Sequence, residues 1–166
     1  MNKIKFLLPV LFILLSSLSV AQQTDSLESK RVKFDPSKNP ESDLKNAVVM
    51  AEGTNKRIIL DVGGEWCIWC HRLDKFFEEN ADIKNFMEEN FVVVKVNYSP
   101  ENKNEKFLSN YPKIPGYPHL FVLDKDGKFL HSQDTGKLES GKGYSKDSVI
   151  NFLHTWAMEK VDSTKN

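Results

Sequence analysis

The chain holds two cysteines, three residues apart: Trp66-Cys67-Ile68-Trp69-Cys70, directly after the apolar run Ile58-Ile59-Leu60-Asp61-Val62. The β-branched run reads as a buried strand. The residues after Cys67 have helical spacing, with Cys70, Leu73, Phe76 and Phe77 on one stripe and Asn80 at its end. A strand that runs through a Cys-x-x-Cys turn into a helix sets the first sulfur at a helix N-terminus. There, unpaired backbone N–H groups and the positive end of the helix dipole favour the thiolate. The pKa of a cysteine so placed falls from roughly 8.5 to about 3.5–7.5. The second sulfur, one turn on, can displace whatever mixed disulfide the first one makes. Cys67 is therefore read as an exposed nucleophile and Cys70 as its buried resolving partner. The opposing reading is an inert structural disulfide, which a loop this short does little to favour.

The ends of the chain set its compartment. Met1-Asn2-Lys3-Ile4-Lys5, an apolar stretch from Phe6 to Leu15 and the close on Ser19-Val20-Ala21 read as a secretory signal peptide cleaved after Ala21. As a membrane anchor the stretch falls short of the ~20 residues a spanning helix needs, and Pro9 interrupts it. Export, to the periplasm or as a secreted protein, places a cysteine pair in an oxidising compartment. Without residues 1–21 the chain carries 21 basic and 23 acidic side chains, net −2, which lacks the basic footprint of a nucleic-acid binder. Residues 22–40 read as a polar linker, with Val32-Lys33-Phe34 as a candidate short strand. Residues 41–162 suit one domain of ordinary size, and 163–166 form a polar tail.

Within the domain, Leu44, Ala47, Val48 and Ala51 share one helical face over residues 41–53, and Gly53 is a candidate C-cap. Residues 57–62 form the first strand, the helix after Cys67 comes next, and a second short helix turns Ile83, Phe86 and Met87 inward. Phe91 to Val96 is a second buried strand, Glu101 to Tyr111 a helix closed by Pro112, and His119 to Asp124 a third strand. Asp126-Gly127 turns this strand into Phe129-Leu130-His131. A loop from Gln133 to Tyr144 leads to a final helix from Ser145, with Val149, Phe152, Leu153 and Trp156 on one face. Strands alternating with helices argue for an α/β domain with a central mixed sheet flanked by helices, its first two strands parallel and its last two antiparallel.

Residues 59–70 and the order of elements around them resemble the thioredoxin family over roughly residues 41–160. The resemblance lies in the strand ending Asp61-Val62-Gly63-Gly64-Glu65-Trp66, the dithiol, Lys95 in Val94-Lys95-Val96-Asn97, and Gly116-Tyr117-Pro118. It implies a thioredoxin fold, a buried carboxylate at Asp61 beneath the cysteines, a supporting lysine at Lys95 and a cis peptide bond at Tyr117-Pro118 opposite the dithiol. The intervening pair is Ile68-Trp69 and His71 follows Cys70, as in a divergent bacterial thioredoxin-like branch.

The resemblance further implies a thiol–disulfide oxidoreductase cycling through a mixed disulfide. Asp61, its pKa raised by burial, would take the proton from Cys70 through water, or else pair with Lys95 for structure alone. Trp66, Tyr117 and Pro118 would contact an extended substrate. Trp69 offers further aromatic surface, and His71 and His119, facing solvent or a neighbouring loop, receive no role. The partners implied are protein dithiol or disulfide substrates and a membrane electron donor, for a monomer that needs no cofactor or metal. Reduction is preferred over oxidation, because no histidine lies between the cysteines. Two rival classes stay open: a c-type haem protein attached through Cys67-x-x-Cys70-His71 with Met87 or Met158 as second ligand, and a thioredoxin-like module that binds clients without turnover.

Overall fold

A computed structural model describes residues 31–159. The expected signal peptide, residues 22–30 of the polar linker and the polar tail lie outside the described residues. Helix α1 (Pro40–Thr54) opens with Asn39, whose side chain accepts the backbone N–H groups of Glu41 and Ser42, and with Pro40 in its first turn. Gly53 is not its cap. The helix continues through Thr54 and closes on Asn55, at φ 53° in the left-handed region that Asn tolerates.

Strand β1 (Arg57–Gly63) is buried over Ile58–Gly63. Helices α2 (Ile68–Glu79) and α3 (Ala81–Asn90) then carry the chain across to β2 (Phe91–Asn97), and a single helical turn, α4, covers Glu105–Leu108. The helix expected over Glu101–Tyr111 shrinks to that turn because its first half is held as a loop. Asn97 Nδ2 donates to Asn102 O at 2.7 Å, Asn104 Nδ2 donates to Asn97 O at 2.8 Å, and Asn104 itself sits at φ 50°.

Strands β3 (His119–Leu123) and β4 (Phe129–Asp134) meet through a turn with Gly127 at φ +85°, a conformation glycine adopts without strain. The stretch expected as a loop from Gln133 to Tyr144 is structured. It finishes β4, makes a 3₁₀ turn over Thr135–Leu138 and pairs β5 (Glu139–Ser140) with β6 (Gly143–Tyr144). Helix α5 (Lys146–Trp156) completes the order, capped by Ser145.

The main sheet runs β2-β1-β3-β4. As expected, β1 and β2 are parallel and β3 and β4 antiparallel; β1 and β3 also pair antiparallel. Successive side chains of a strand point to opposite faces. Ile58, Leu60 and Val62 join Ala47, Ala51 and Phe121 on the α1 side, whereas Ile59 joins Leu73, Ile83, Val149 and Leu153 on the side of α2, α3 and α5. Asp61 and Gly63 share the alternation of Ile59, so the sheet presents both toward α2. Among the described residues, no helix is long and apolar enough to cross a membrane.

Candidate active site

Cys67 occupies the N-cap of α2 with extended backbone, φ −91° and ψ 103°. Its Sγ accepts the backbone N–H of Cys70 at 3.1 Å, and its carbonyl accepts the N–H of His71 at 3.2 Å. The sulfur thus takes the part that a Ser or Asp oxygen takes in other helices. Cys67 and Cys70 are joined in a disulfide, with Cα atoms 5.2 Å apart. Cys67 is not the exposed sulfur that the sequence suggests: only 4% of it reaches solvent, because Phe34, Trp69 and Tyr117 pack around the pair.

The glycines before the motif are required by close approach. A Cβ on Gly63 would stand 2.5 Å from Cys70 Sγ, and one on Gly64 would stand 2.5 Å from Trp66 Nε1 and 2.7 Å from the Tyr98 carbonyl. The Trp66 indole donates to that carbonyl at 2.7 Å. Its ring meets Tyr117 edge-on, and Tyr117 stacks on Tyr98 with centroids 4.7 Å apart. Trp66 remains 56% exposed and Ile68 is exposed beside it. Trp69 turns inward, its ring edge-on to Tyr144 and covered by the Arg72 guanidinium at 4.4 Å. The Tyr144 hydroxyl donates to Trp69 O at 3.3 Å, and Thr135 Oγ1 donates to Pro118 O at 2.5 Å. The Tyr117-Pro118 bond is cis. The antiparallel register sets His119 opposite Val62, so Pro118 falls beside Gly63 and the dithiol turn.

Beneath the pair lies a buried charge cluster. The parallel register places Asp61 next to Lys95, and Lys95 Nζ reaches Asp61 Oδ2 at 2.9 Å and Asp74 Oδ1 at 2.5 Å. Asp61 Oδ1 has no hydrogen-bond partner among the described residues. Burial pushes the Asp61 carboxyl above the usual carboxylate range; Lys95 pulls it down and Asp74 pushes it up. Burial draws Lys95 down, but the two carboxylates outweigh it and its pKa ends raised.

Cys67, Cys70, Trp66, Tyr117 and Pro118 therefore meet at one end of the sheet, with Asp61 and Lys95 paired below. Phe34, Asp74, Thr135 and Tyr144 are not singled out by the sequence. Asp74 carried a signal, since it lies four residues past Cys70 on the same helical face. Phe34 lies in the stretch that reads as linker, forms no strand, and is buried under the disulfide. His71 lies as expected against a neighbouring loop, its half-buried ring bonding Glu65 O through Nε2 at 2.8 Å. His119 does not face solvent: it is buried against Phe121 with Nε2 2.8 Å from Ser132 Oγ.

The haem arrangement does not fit these residues. The two sulfurs are bonded to each other and packed against Phe34, and His71 Nε2 is bonded to the Glu65 carbonyl. Among the described residues, no group of three or more His, Cys, Asp or Glu side chains is placed to hold a metal ion.

The family model described as Thioredoxin-like matches residues 39–125. The chain is similar to the disulfide bond reductase DsbH of Chlamydia pneumoniae, 30% identical over 76 residues that make up 41% of this chain and 45% of that protein. It is also similar to the thiol:disulfide interchange protein DsbD of Actinobacillus pleuropneumoniae, 24% identical over 102 residues, 61% of this chain and 17% of that one. The chain spans less than half the length of these curated relatives. Among solved structures, the disulphide isomerase from Xylella fastidiosa Temecula1 superposes with a TM-score of 0.65 at 23% identity, over 76% of this chain and 97% of that one. That likeness establishes the thioredoxin fold.

Proposed function

The chain belongs to the thioredoxin-like family, matched over residues 39–125, and from that premise we propose that it is an exported thiol–disulfide oxidoreductase that reduces protein disulfides. The observation that carries the reading is Cys67 as helix cap, its sulfur already accepting a backbone N–H at 3.1 Å. In the reduced protein that N–H and the helix dipole stabilise a thiolate. The thiolate attacks one sulfur of a substrate disulfide; the S–S bond breaks and the other substrate sulfur leaves and takes a proton. Cys70 loses its proton to Asp61 through water and attacks Cys67 in the mixed disulfide, which frees the second substrate thiol. The substrate gains two electrons and two protons, and the protein is left with the Cys67–Cys70 disulfide.

A dithiol donor must then reduce the pair, and for a monomer exported by residues 1–21 a membrane protein is the fitting source. Trp66, Tyr117 and Pro118 line the approach, where an extended substrate segment would lie. The reducing direction is supported by the absence of histidine between the cysteines, by the buried Asp61, and by the name of the Chlamydia relative, a disulfide bond reductase.

Two measurements test the reading together: insulin reduction driven by dithiothreitol, and the potential of the pair equilibrated with glutathione. The expected result is catalysed insulin precipitation with a potential nearer the about −270 mV of thioredoxin than the about −120 mV of a strong oxidant. A potential at the oxidising end reverses the direction. A reducible pair that never accelerates insulin reduction returns the protein to the client-binding class.

A further inference from the structure

Phe34 comes from a stretch with neither helix nor strand, yet it is 2% exposed. It packs against Cys67 and Cys70. Lys95 Nζ lies over its ring, 4.2 Å from the centroid. A Cβ on Gly63 would fall 3.0 Å from Phe34 Cζ and 2.5 Å from Cys70 Sγ, so ring and sulfur converge on the same glycine. The segment is fastened at two points. Phe34 N–H donates to Glu65 Oε1 at 2.8 Å, and Asn102 Nδ2 donates to Pro36 O at 2.8 Å. Phe34 is therefore a shared neighbour of the resolving sulfur and of the ammonium that holds Asp61.

An aromatic face attracts an ammonium without accepting its proton, and an apolar ring excludes water. The groups facing Asp61 are Lys95 from β2 and Asp74 from α2, with the Tyr144 hydroxyl of β6 feeling its charge. Asp61 Oδ1 is buried without a partner among the described residues, which leaves that oxygen open to accept a proton. Truncating the ring would open a space beside the Lys95 ammonium, which itself binds two carboxylates, the kind of polar lining that hydrated cavities require.

We propose that Phe34 is a positioning residue for the proton step: its ring keeps bulk solvent from the Cys70–Asp61–Lys95 group, so that the proton leaving Cys70 goes to Asp61. The proposal rests on the reading of Asp61 as proton acceptor, and the test separates the two. Single-turnover reduction of a peptide disulfide is followed by tryptophan fluorescence from pH 5.5 to 9. The proteins are wild type, Asp61→Asn, Phe34→Ala, Phe34→Leu and the two double variants. With Phe34 intact, Asp61→Asn slows the reaction about tenfold or more at neutral pH. In the Phe34→Ala background the same substitution costs less than about twofold and the pH profile flattens, because bulk solvent now takes the proton in place of Asp61; Phe34→Leu falls between. An Asp61→Asn penalty of the same size in all three backgrounds overturns the proposal, whatever Phe34 contributes to the melting temperature. Should Phe34→Ala fail to fold, the wild-type and Phe34→Leu backgrounds decide it by the same comparison. No penalty in any background overturns both this proposal and the role given to Asp61.

Discussion

Lys95 Nζ stands 2.9 Å from Asp61 Oδ2 because the parallel register of β1 on β2 sets residues 61 and 95 side by side. Asp74, brought in by α2, binds the same ammonium from a second direction. One buried cation thus answers two buried carboxylates. Replacing members of such a cluster has opposite effects on stability, depending on which member goes.

Asp61→Asn should stabilise the protein at neutral pH. Burial, and after it the repulsion of Asp74, raise the folded pKa above the ordinary 3.8 despite the pull of Lys95. A carboxyl that holds its proton more tightly when folded contributes stability that is full below that ordinary value and lost as pH rises through the raised one. The variant avoids that loss. Urea unfolding should show a gain of about 1 kcal/mol or more at pH 7, vanishing toward pH 3.8. A variant less stable than wild type at pH 7 would contradict this linkage.

Lys95→Met should act the other way. It leaves Asp61 and Asp74 buried without their common counter-charge, and removing one partner of a buried pair costs about 3–5 kcal/mol. Unfolding midpoints at pH 7 should fall accordingly, and the deficit should shrink on acidification as the carboxylates take up protons. Adding Asp61→Asn should recover part of the loss, a non-additivity expected only of groups in contact.

Two glycines should answer oppositely to alanine. On Gly63 the new Cβ would lie 2.5 Å from Cys70 Sγ, and relieving such overpacking costs roughly 1–3 kcal/mol. Gly53 lies inside α1 with nothing within 4 Å of a built Cβ, so alanine there should gain about 0.5–1 kcal/mol. Thermal unfolding of the two variants, run side by side, should move the midpoint down for Gly63→Ala and up for Gly53→Ala.

His119 should stay neutral far into acid. Burial lowers its pKa to about 4 from 6.5, with His131 adding to the shift and Asp134 opposing it without offsetting it. Its contribution to stability is present above pH 6.5 and is lost as pH falls from there toward about 4. Ring-proton NMR titration should give a midpoint near the lower figure; one near the upper would show that the ring is hydrated.

Much of this site could be read from the chain because its parts carry local signals. A β-branched run before Cys67 marks a strand, the stripe from Cys70 to Phe77 marks a helix, and the joint between them fixes where the sulfurs lie. Asp61 stood out as a charge inside an apolar run. The features that escaped depend on tertiary contact. Phe34 is one aromatic in a polar stretch, and only the space over Lys95 and under Cys70 makes it core. His119 heads an apolar strand just after a proline-bearing loop, yet its ring is buried against Phe121 and bonded to Ser132 of β4. The region from Glu101 to Tyr111 has helical composition, but hydrogen bonds among Asn97, Asn102 and Asn104 hold its first half as a loop. Thr135 and Tyr144 reach the site only because a glycine-bearing stretch folds into a small hairpin.

The adjacency of β1 and β2 also guards against misassembly. Val92, Val93, Val94 and Val96 put valines on both faces of β2, so side-chain type alone does little to fix its register. A shift of one residue inverts every side chain of a strand, which would swing the ammonium of Lys95 to the opposite face and strand two acids in a dry interior. The cation thus acts as an alignment key for the sheet, favouring the one pairing in which it answers both carboxylates.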